Sequence, residues 1–476
     1  MAFVRSVDSR ALYLRALGAV SLLAFLSLGV QVRGLIGTDG LLPLEELLRR
    51  AEDVWGSGVG LAERLHRMPM LFWFGASDAL LLGACAVGAL LSIGLMLLAA
   101  PRICIAGAWV LYLSLTVACN EFLGFQWDSL LIQTLFFSWL YAPSGLRPFR
   151  SPPPAAHPAA RALLVALLFL LHFESGIAKV VGGDPGWSWR EPTALIAYYE
   201  TAPIPTWLGW YAHQMPRGAH LAAGWWTLFA ELILPFALLA PWRIRRWALV
   251  GIVCLQVPIA LTANYGFFNL LSVMLCIPAL PQAVPAALPW RAAWLGSWRH
   301  IASTAACGAL LALSLLAFAV GILRWSAPEP LRRIVEEGMK LRTVNVYHLF
   351  VHMTERRPEL VFEWSDDGID WRELEMRYKP GDPRRAPPFV APHQPRVDFR
   401  LWFYALRPQS GPLLGRLAAR LHEEPQSVSW LFTPESLPPK PPKLVRVGLW
   451  TYHMTDSATR RESGLWWDRT LERYLR

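Results

Sequence analysis

Apolar runs occupy residues 11–30, 78–100, 103–119, 128–143, 161–180, 220–240, 246–263, 267–282 and 302–323. Most approach the length that carries a helix across a bilayer, about 20 residues. Hydrocarbon admits only backbone whose hydrogen bonds close internally, so runs of this kind are read as helices. The expected fold class is a polytopic α-helical membrane protein with about nine transmembrane helices. Charge agrees, at 17% of residues against about 25% in soluble chains. The 24 Trp suit the membrane–water interface. The amino terminus has a basic start and an apolar core without a small-residue cleavage site, and reads as the first span rather than a removed signal.

The connections alternate in charge. Arg5 and Arg10 precede the first run, Arg147, Arg150 and Arg161 lie in or border the Pro/Ala-rich linker "GLRPFRSPPPAAHPAAR", and "PWRIRRW" and a loop with Arg291 and Arg299 follow later. Connections 120–127, 181–219 and 264–266 are poor in Arg and Lys for their length. The positive-inside rule puts the amino terminus and the Arg-bearing loops in the cytoplasm. An odd number of crossings then carries everything after Arg324 to the periplasm or lumen. The net charge of +10 is spread along the chain as topology signals and gives no nucleic-acid patch.

Two domains are expected. Residues 1–324 form the helical bundle, with a re-entrant or interfacial segment at 181–219, where Pro192, Pro203, Pro205 and Pro216 break any helix into short pieces. There Tyr198, Tyr199 and Trp207 suit an element lying along the membrane surface. Residues 325–476 hold 44 of the 80 formal charges and form a soluble α+β domain. In it "TVNVYHLFVHM", "ELVFEWS" and "WRELEMRYKPG" read as strands, with "DDG" as a hairpin turn. "GPLLGRLAARLHEE" and "LWWDRTLERYLR" read as amphipathic helices.

Charged groups inside spans are costly and are functional or paired. Arg15, Glu174, Lys179 and Glu231 fall in this class, and Asp128 opens the fourth run. With Asn264 and Tyr265, most of them lie in the non-cytoplasmic half, and the carboxylates read as part of an outward-facing polar vestibule. Each has a plainer reading: Lys179 snorkelling to the interface, Asp128 capping its helix, and Glu231 protonated between helices. The six cysteines lie in or beside apolar runs without a CxxC pair, and His172 has no second ligand at metal spacing. No metal and no cofactor is indicated, and no nucleophile elbow appears.

Several stretches together resemble one family. "LYLRALGAVSLLAFLSLGVQVRGLIGTDGLLP", "FLGFQWDSLLIQ", "LHFESGIAKV", "YYETAPIPTW" and above all "WSDDGIDWRELEMRYKPGDPRRAPPFVAPHQPRVDFRLWFYAL" are similar to the lipase maturation factors, polytopic proteins of the endoplasmic reticulum with bacterial relatives. The resemblance implies a non-enzymatic chaperone that assists folding or assembly of secreted lipases, with its carboxyl-terminal domain in the lumen. The Ala/Arg/Pro-rich composition suggests a bacterial-type member in an inner membrane, with membrane lipids and an exported client as partners. A shorter stretch, "FESGIAKVVGGDPGW", is similar to the vitamin K-dependent γ-carboxylases, which implies a membrane enzyme using Lys179 as a base. A lipid-handling protein is the third reading.

The expected client contacts are Trp127, Asp128, Tyr199 and Glu200 at the bundle edge, and Trp364, Asp367, Gly368 and Trp371 on the hairpin. "KPGDP" and "APHQPRVDF", with Gly381, Asp382, Arg396 and Asp398, are expected to fix the tail against the bundle.

Overall fold

The computed structural model describes residues 9–56, 58–150, 155–281, 298–408 and 411–475. Arg5, Arg291, the side chain of Arg299 and linker residues 151–154 lie outside the described residues.

The apolar runs form helices that carry little polar surface of their own, as lipid requires. They are α1 (Ser9–Gly29), α3 (Asp78–Met96), α4 (Pro101–Ala118), α5 (Gln126–Tyr141), α6 (Pro158–Val181), α9 (Arg217–Leu232), α10 (Trp242–Thr262), α11 (Phe268–Met274) and α12 (Trp298–Gly321), with α2 (Leu44–Trp55) as an amphipathic helix after α1. Six of them (α1, α3, α4, α6, α10 and α12) are long and apolar enough to cross a membrane. The other three expected spans coincide with shorter helices: α5 and α9 have 16 residues each and α11 has 7. Sixteen residues rise about 24 Å, less than the roughly 30 Å hydrocarbon core.

Small residues bring α1 and α3 together. A Cβ at Gly18 would lie 2.8 Å from the Ser92 carbonyl and the Met96 nitrogen, and one at Gly88 would overlap the Phe25 ring. This is the close backbone approach that membrane helices use where apolar burial gives no drive. Helix α5 sits inside the bundle and buries Asp128, Ser129, Gln133, Thr134 and Ser138. Several of these groups find partners within the chain; Ser138 Oγ, for example, lies 2.7 Å from the Tyr13 hydroxyl. Helix α6 packs against α5, α9 and α12.

Between α6 and α9 the chain makes α7 (Ala194–Thr201) and α8 (Trp207–His213). Pro192 precedes α7, Pro203 and Pro205 separate α7 from α8, and Pro216 caps α9. Trp207 is exposed, but Tyr198 and Tyr199 are buried, turned toward the body of the protein rather than along its surface.

The tail begins with α13 (Glu329–Lys340) and carries a four-stranded antiparallel sheet, ordered β2-β1-β3-β4. Its strands are β1 (Arg357–Ser365), β2 (Arg372–Leu374), β3 (Leu444–Met454) and β4 (Trp467–Leu475), and helices α14 (Arg396–Leu406) and α15 (Leu413–Glu423) pack on β1 and β3. The Asp-Gly turn forms as expected. Gly368 takes the left-handed φ of +79°, and Asp367 Oδ1 accepts the Ile369 and Asp370 N–H groups at 2.8 and 2.9 Å.

Two expectations are corrected. "LWWDRTLERYLR" is the edge strand β4, not a helix; pairing of Trp467 with Met454 and Thr470 with Thr451 along β3 imposes a two-residue period. "TVNVYHLFVHM" is not a strand. Residues 343–353 run irregularly into the bundle, where side chains of α5 and α6 take up their backbone groups.

Candidate functional site

The polar residues singled out in the sequence gather where the tail meets one end of the bundle. Arg396, at the start of α14, reaches Asp128 at the start of α5 with both guanidinium arms: Nη1–Oδ2 is 2.7 Å and Nη2–Oδ1 is 2.9 Å. The Tyr112 hydroxyl donates to Oδ1 at 2.7 Å, and neither side chain of the ion pair is exposed. A planar guanidinium matches a carboxylate bidentately, which fixes orientation as well as charge. Asp128 makes no cap to its own helix. Burial opposes the Arg396 charge, but Asp128 and Tyr112 more than offset it and its pKa is raised.

The surrounding loop is pinned by amides. Gln31 Oε1 accepts the Arg396 N–H, and its Nε2 donates to the Gln394 carbonyl, both at 2.9 Å. Asn264 Oδ1 accepts the N–H groups of Val390 and Ala391 at 2.7 and 2.9 Å, while its Nδ2 donates to the Pro388 carbonyl at 2.9 Å. "APHQPRVDF" therefore holds the tail to the bundle. "KPGDP" instead ties the tail to itself. Lys379 Nζ pairs with Glu359 at 2.9 Å, and the Pro383 carbonyl accepts from Trp466. Asp398 Oδ1 accepts the Tyr378 and Lys379 N–H groups at 3.1 and 3.0 Å, and burial pushes its pKa up to about 6.

A second buried arginine, Arg357 on β1, grips the end of α7. It donates to the carbonyls of Glu200 and Ala202 through Nη1 and of Pro203 through Nη2, and pairs with Glu359 at 2.6 Å. The Glu200 carboxylate accepts the Met454 N–H at 2.8 Å and lies 3.1 Å from His453 Nδ1 and 3.7 Å from His213 Nε2. Burial lowers the His213 pKa, while Glu200 pulls it back.

The third tie is the segment 343–353. Glu174 Oε2 accepts the Tyr347 N–H at 2.7 Å, and Gln133 Oε1 accepts the Tyr347 hydroxyl at 2.5 Å. Lys179 Nζ donates to the Leu349 carbonyl at 2.8 Å, lies 2.7 Å from Glu231 Oε2, and sits 5.1 Å from the Trp187 ring centre. It is buried and does not snorkel. The groups read as a vestibule thus divide into two buried clusters, Asp128–Arg396–Tyr112 and Lys179–Glu231. Glu174 is engaged separately.

An aromatic seam closes the joint. Phe125 stacks on Trp127 at 4.7 Å, and Phe399 meets Trp127 edge-on at 5.0 Å. Trp127, Tyr199, Glu200 and Trp364 are buried, with Asp128. Asp367 and Gly368 are exposed at the hairpin tip beside Ile369, which is 82% exposed. Trp371 is half-buried, stacked 3.8 Å from the Arg446 guanidinium. Sequence reasoning missed Arg357, Glu359, Gln31 and Gln133, whose partners lie 150 or more residues away or carry no motif. The one usable signal was Arg357 with Glu359 two residues on, which an alternating strand places on the same face.

Comparisons with known proteins agree along the chain. Residues 8–287 match the lipase maturation factor transmembrane domain, and residues 343–475 match the lipase maturation factor C-terminal domain. The chain is 32% identical to lipase maturation factor 2 of Gallus gallus, over 97% of this chain and 80% of that protein. It is 30% identical to lipase maturation factor 2 of Homo sapiens (97% and 81%), and 27% identical to lipase maturation factor 1 of Bos taurus (97% and 87%). No solved structure matches the chain.

Proposed function

The chain belongs to the lipase maturation factor family, and from that footing we propose that it is a membrane-held factor assisting folding or assembly of a secreted lipase or another exported client. The observation that carries this reading is the tail locked onto the bundle by Arg396 and Arg357, with its hairpin tip left free. A rigid platform at the membrane surface presents Asp367, Gly368, Ile369 and Trp371 to a passing chain. The buried Trp127, Asp128, Tyr199, Glu200 and Trp364 hold that platform in place and serve the client indirectly. Counting α5, α9 and α11 as crossings gives nine, with the amino terminus cytoplasmic and the tail in the periplasm or lumen.

The enzyme reading fares less well. The Lys179 ammonium is paired with Glu231 and occupied by a carbonyl, an arrangement suited to joining α6, α9 and the tail linker. A base needs a free amine.

The test is rescue of a secreted lipase in cells lacking their own maturation factor. The full chain restores secreted activity. Ile369→Ala with Trp371→Ala abolishes rescue at unchanged membrane abundance. Full rescue by that variant contradicts the hairpin as the client surface.

A further inference from the structure

Two cavities meet at the tail-facing half of the bundle. The larger, about 370 Å³, lies between the bundle and the tail. Its wall is mostly apolar, with Leu255, Ile259, Phe268, Phe350, Phe399 and Phe403. Its rim carries Gln126 and the exposed His348 and His352. The smaller, about 120 Å³, lies between α9 and α10. The two share Tyr198, Glu231, Leu255, Ile259 and Phe350 as a common wall.

The smaller cavity reaches the flank of the bundle. Its lining includes Trp226, Cys254 and Pro258, all exposed, on helices whose outward surfaces are apolar. Pro258 lies inside α10. It cannot donate to the Cys254 carbonyl one turn back, and its ring crowds that carbonyl, so the helix is loosened at the mouth. One end of the paired space therefore faces hydrocarbon and the other faces water beneath the tail.

The charge in the lining is balanced. Glu231 is paired with Lys179, and no Arg lines either cavity. Nothing there recognises a phosphate or another strong anion. The available polar groups are neutral donors and acceptors, such as Gln126, Gln256 and Thr201. An apolar tube with a neutral polar rim and a sideways mouth onto lipid suits an acyl chain, and the larger chamber has the size of an ordinary ligand pocket, about 300–1,000 Å³.

We propose that the two cavities form a binding site for one acyl chain of a membrane lipid, entered sideways between α9 and α10. The site is independent of the client-folding reading, because none of its walls includes the hairpin tip.

The test uses the full chain in lipid nanodiscs with two diazirine-bearing probes, a phosphatidylcholine and palmitic acid. Cross-linked peptides are mapped by mass spectrometry. The expected result is labelling at Leu255, Ile259 and Phe350 by at least one probe; the probe that labels identifies the source of the chain as phospholipid or free fatty acid. Ala223→Trp, which fills the sideways mouth, lowers this labelling at least fivefold while labelling of the exposed Leu90 on α3 stays constant. Leu255→Trp, at the shared wall, does the same from inside. Labelling confined to outward residues such as Leu90 overturns the proposal. So does undiminished labelling in either variant when it melts like the unaltered chain.

Discussion

Arg396 holds both carboxylate oxygens of Asp128 across 268 residues of chain, with no solvent on either side chain. Asp128 opens a helix in the middle of the bundle, and Arg396 opens the helix by which the tail docks. A buried pair of this kind adds little over a well-packed apolar pair, but removing one partner strands a charge and costs about 3–5 kcal/mol. The joint is thus specified by matching, and each half is unfavourable without the other.

Arg357 makes the same argument from the other side. Arg357→Met removes three carbonyl contacts at the end of α7 and leaves Glu359 with Lys379 alone. The expected cost is about 3 kcal/mol or more. Hydrogen exchange in residues 200–206 accelerates in this variant; unchanged protection there contradicts the role of Arg357 as a tie between tail and α7.

Asp398 gives a pH signature. Its folded pKa is pushed up to about 6 by burial, above the roughly 3.9 of an unfolded chain. The folded state holds this proton more tightly, so the stability it supplies is complete below about pH 4 and is lost as pH rises through about 6. Asp398→Asn keeps an oxygen for the Tyr378 and Lys379 N–H groups and does not titrate. Melting temperatures of the two proteins, compared from pH 4 to 7, should show a decline in the parent that is absent from the variant. The difference corresponds to at most about 3 kcal/mol. Parallel curves contradict the assignment.

Lys179 and Glu231 separate the platform from the enzyme. Lys179→Met strands Glu231 and Glu231→Leu strands Lys179, so each destabilises by about 3–5 kcal/mol. The double variant replaces an ion pair with apolar side chains and recovers most of that loss. It is expected to recover lipase rescue as well. A double variant that folds but has no activity of any kind makes Lys179 a chemical group rather than a structural one.

Much of the bundle was legible because lipid forces a simple rule on spanning helices, and six apolar runs obey it. The rule weakens at α5, whose Asp128, Gln133 and Ser138 look like defects until Arg396, Tyr347 and Tyr13 are brought to them. The hairpin was legible from Asp367 and Gly368, since turn chemistry is local. The strand β4 was not. Its Leu and Arg spacing fits a helix, and only pairing with β3 decides otherwise. The segment 343–353 alternates like a strand but has Glu174 and Lys179 as partners, and nothing nearby in sequence announces them. For the candidate site, the residue types were readable and their pairing was not. Asp128 and Arg396 were both singled out, yet no spacing connects them.

The central claim is that the tail is fastened to the bundle through Asp128 and Arg396. A double-mutant cycle with Asp128→Ala, Arg396→Ala and the combined variant measures it directly, with unfolding followed in detergent. The account predicts that each single change costs about 3–5 kcal/mol and that the combination costs scarcely more than one. Two losses that add to within about 0.5 kcal/mol would show that the residues do not act on each other, and would contradict it.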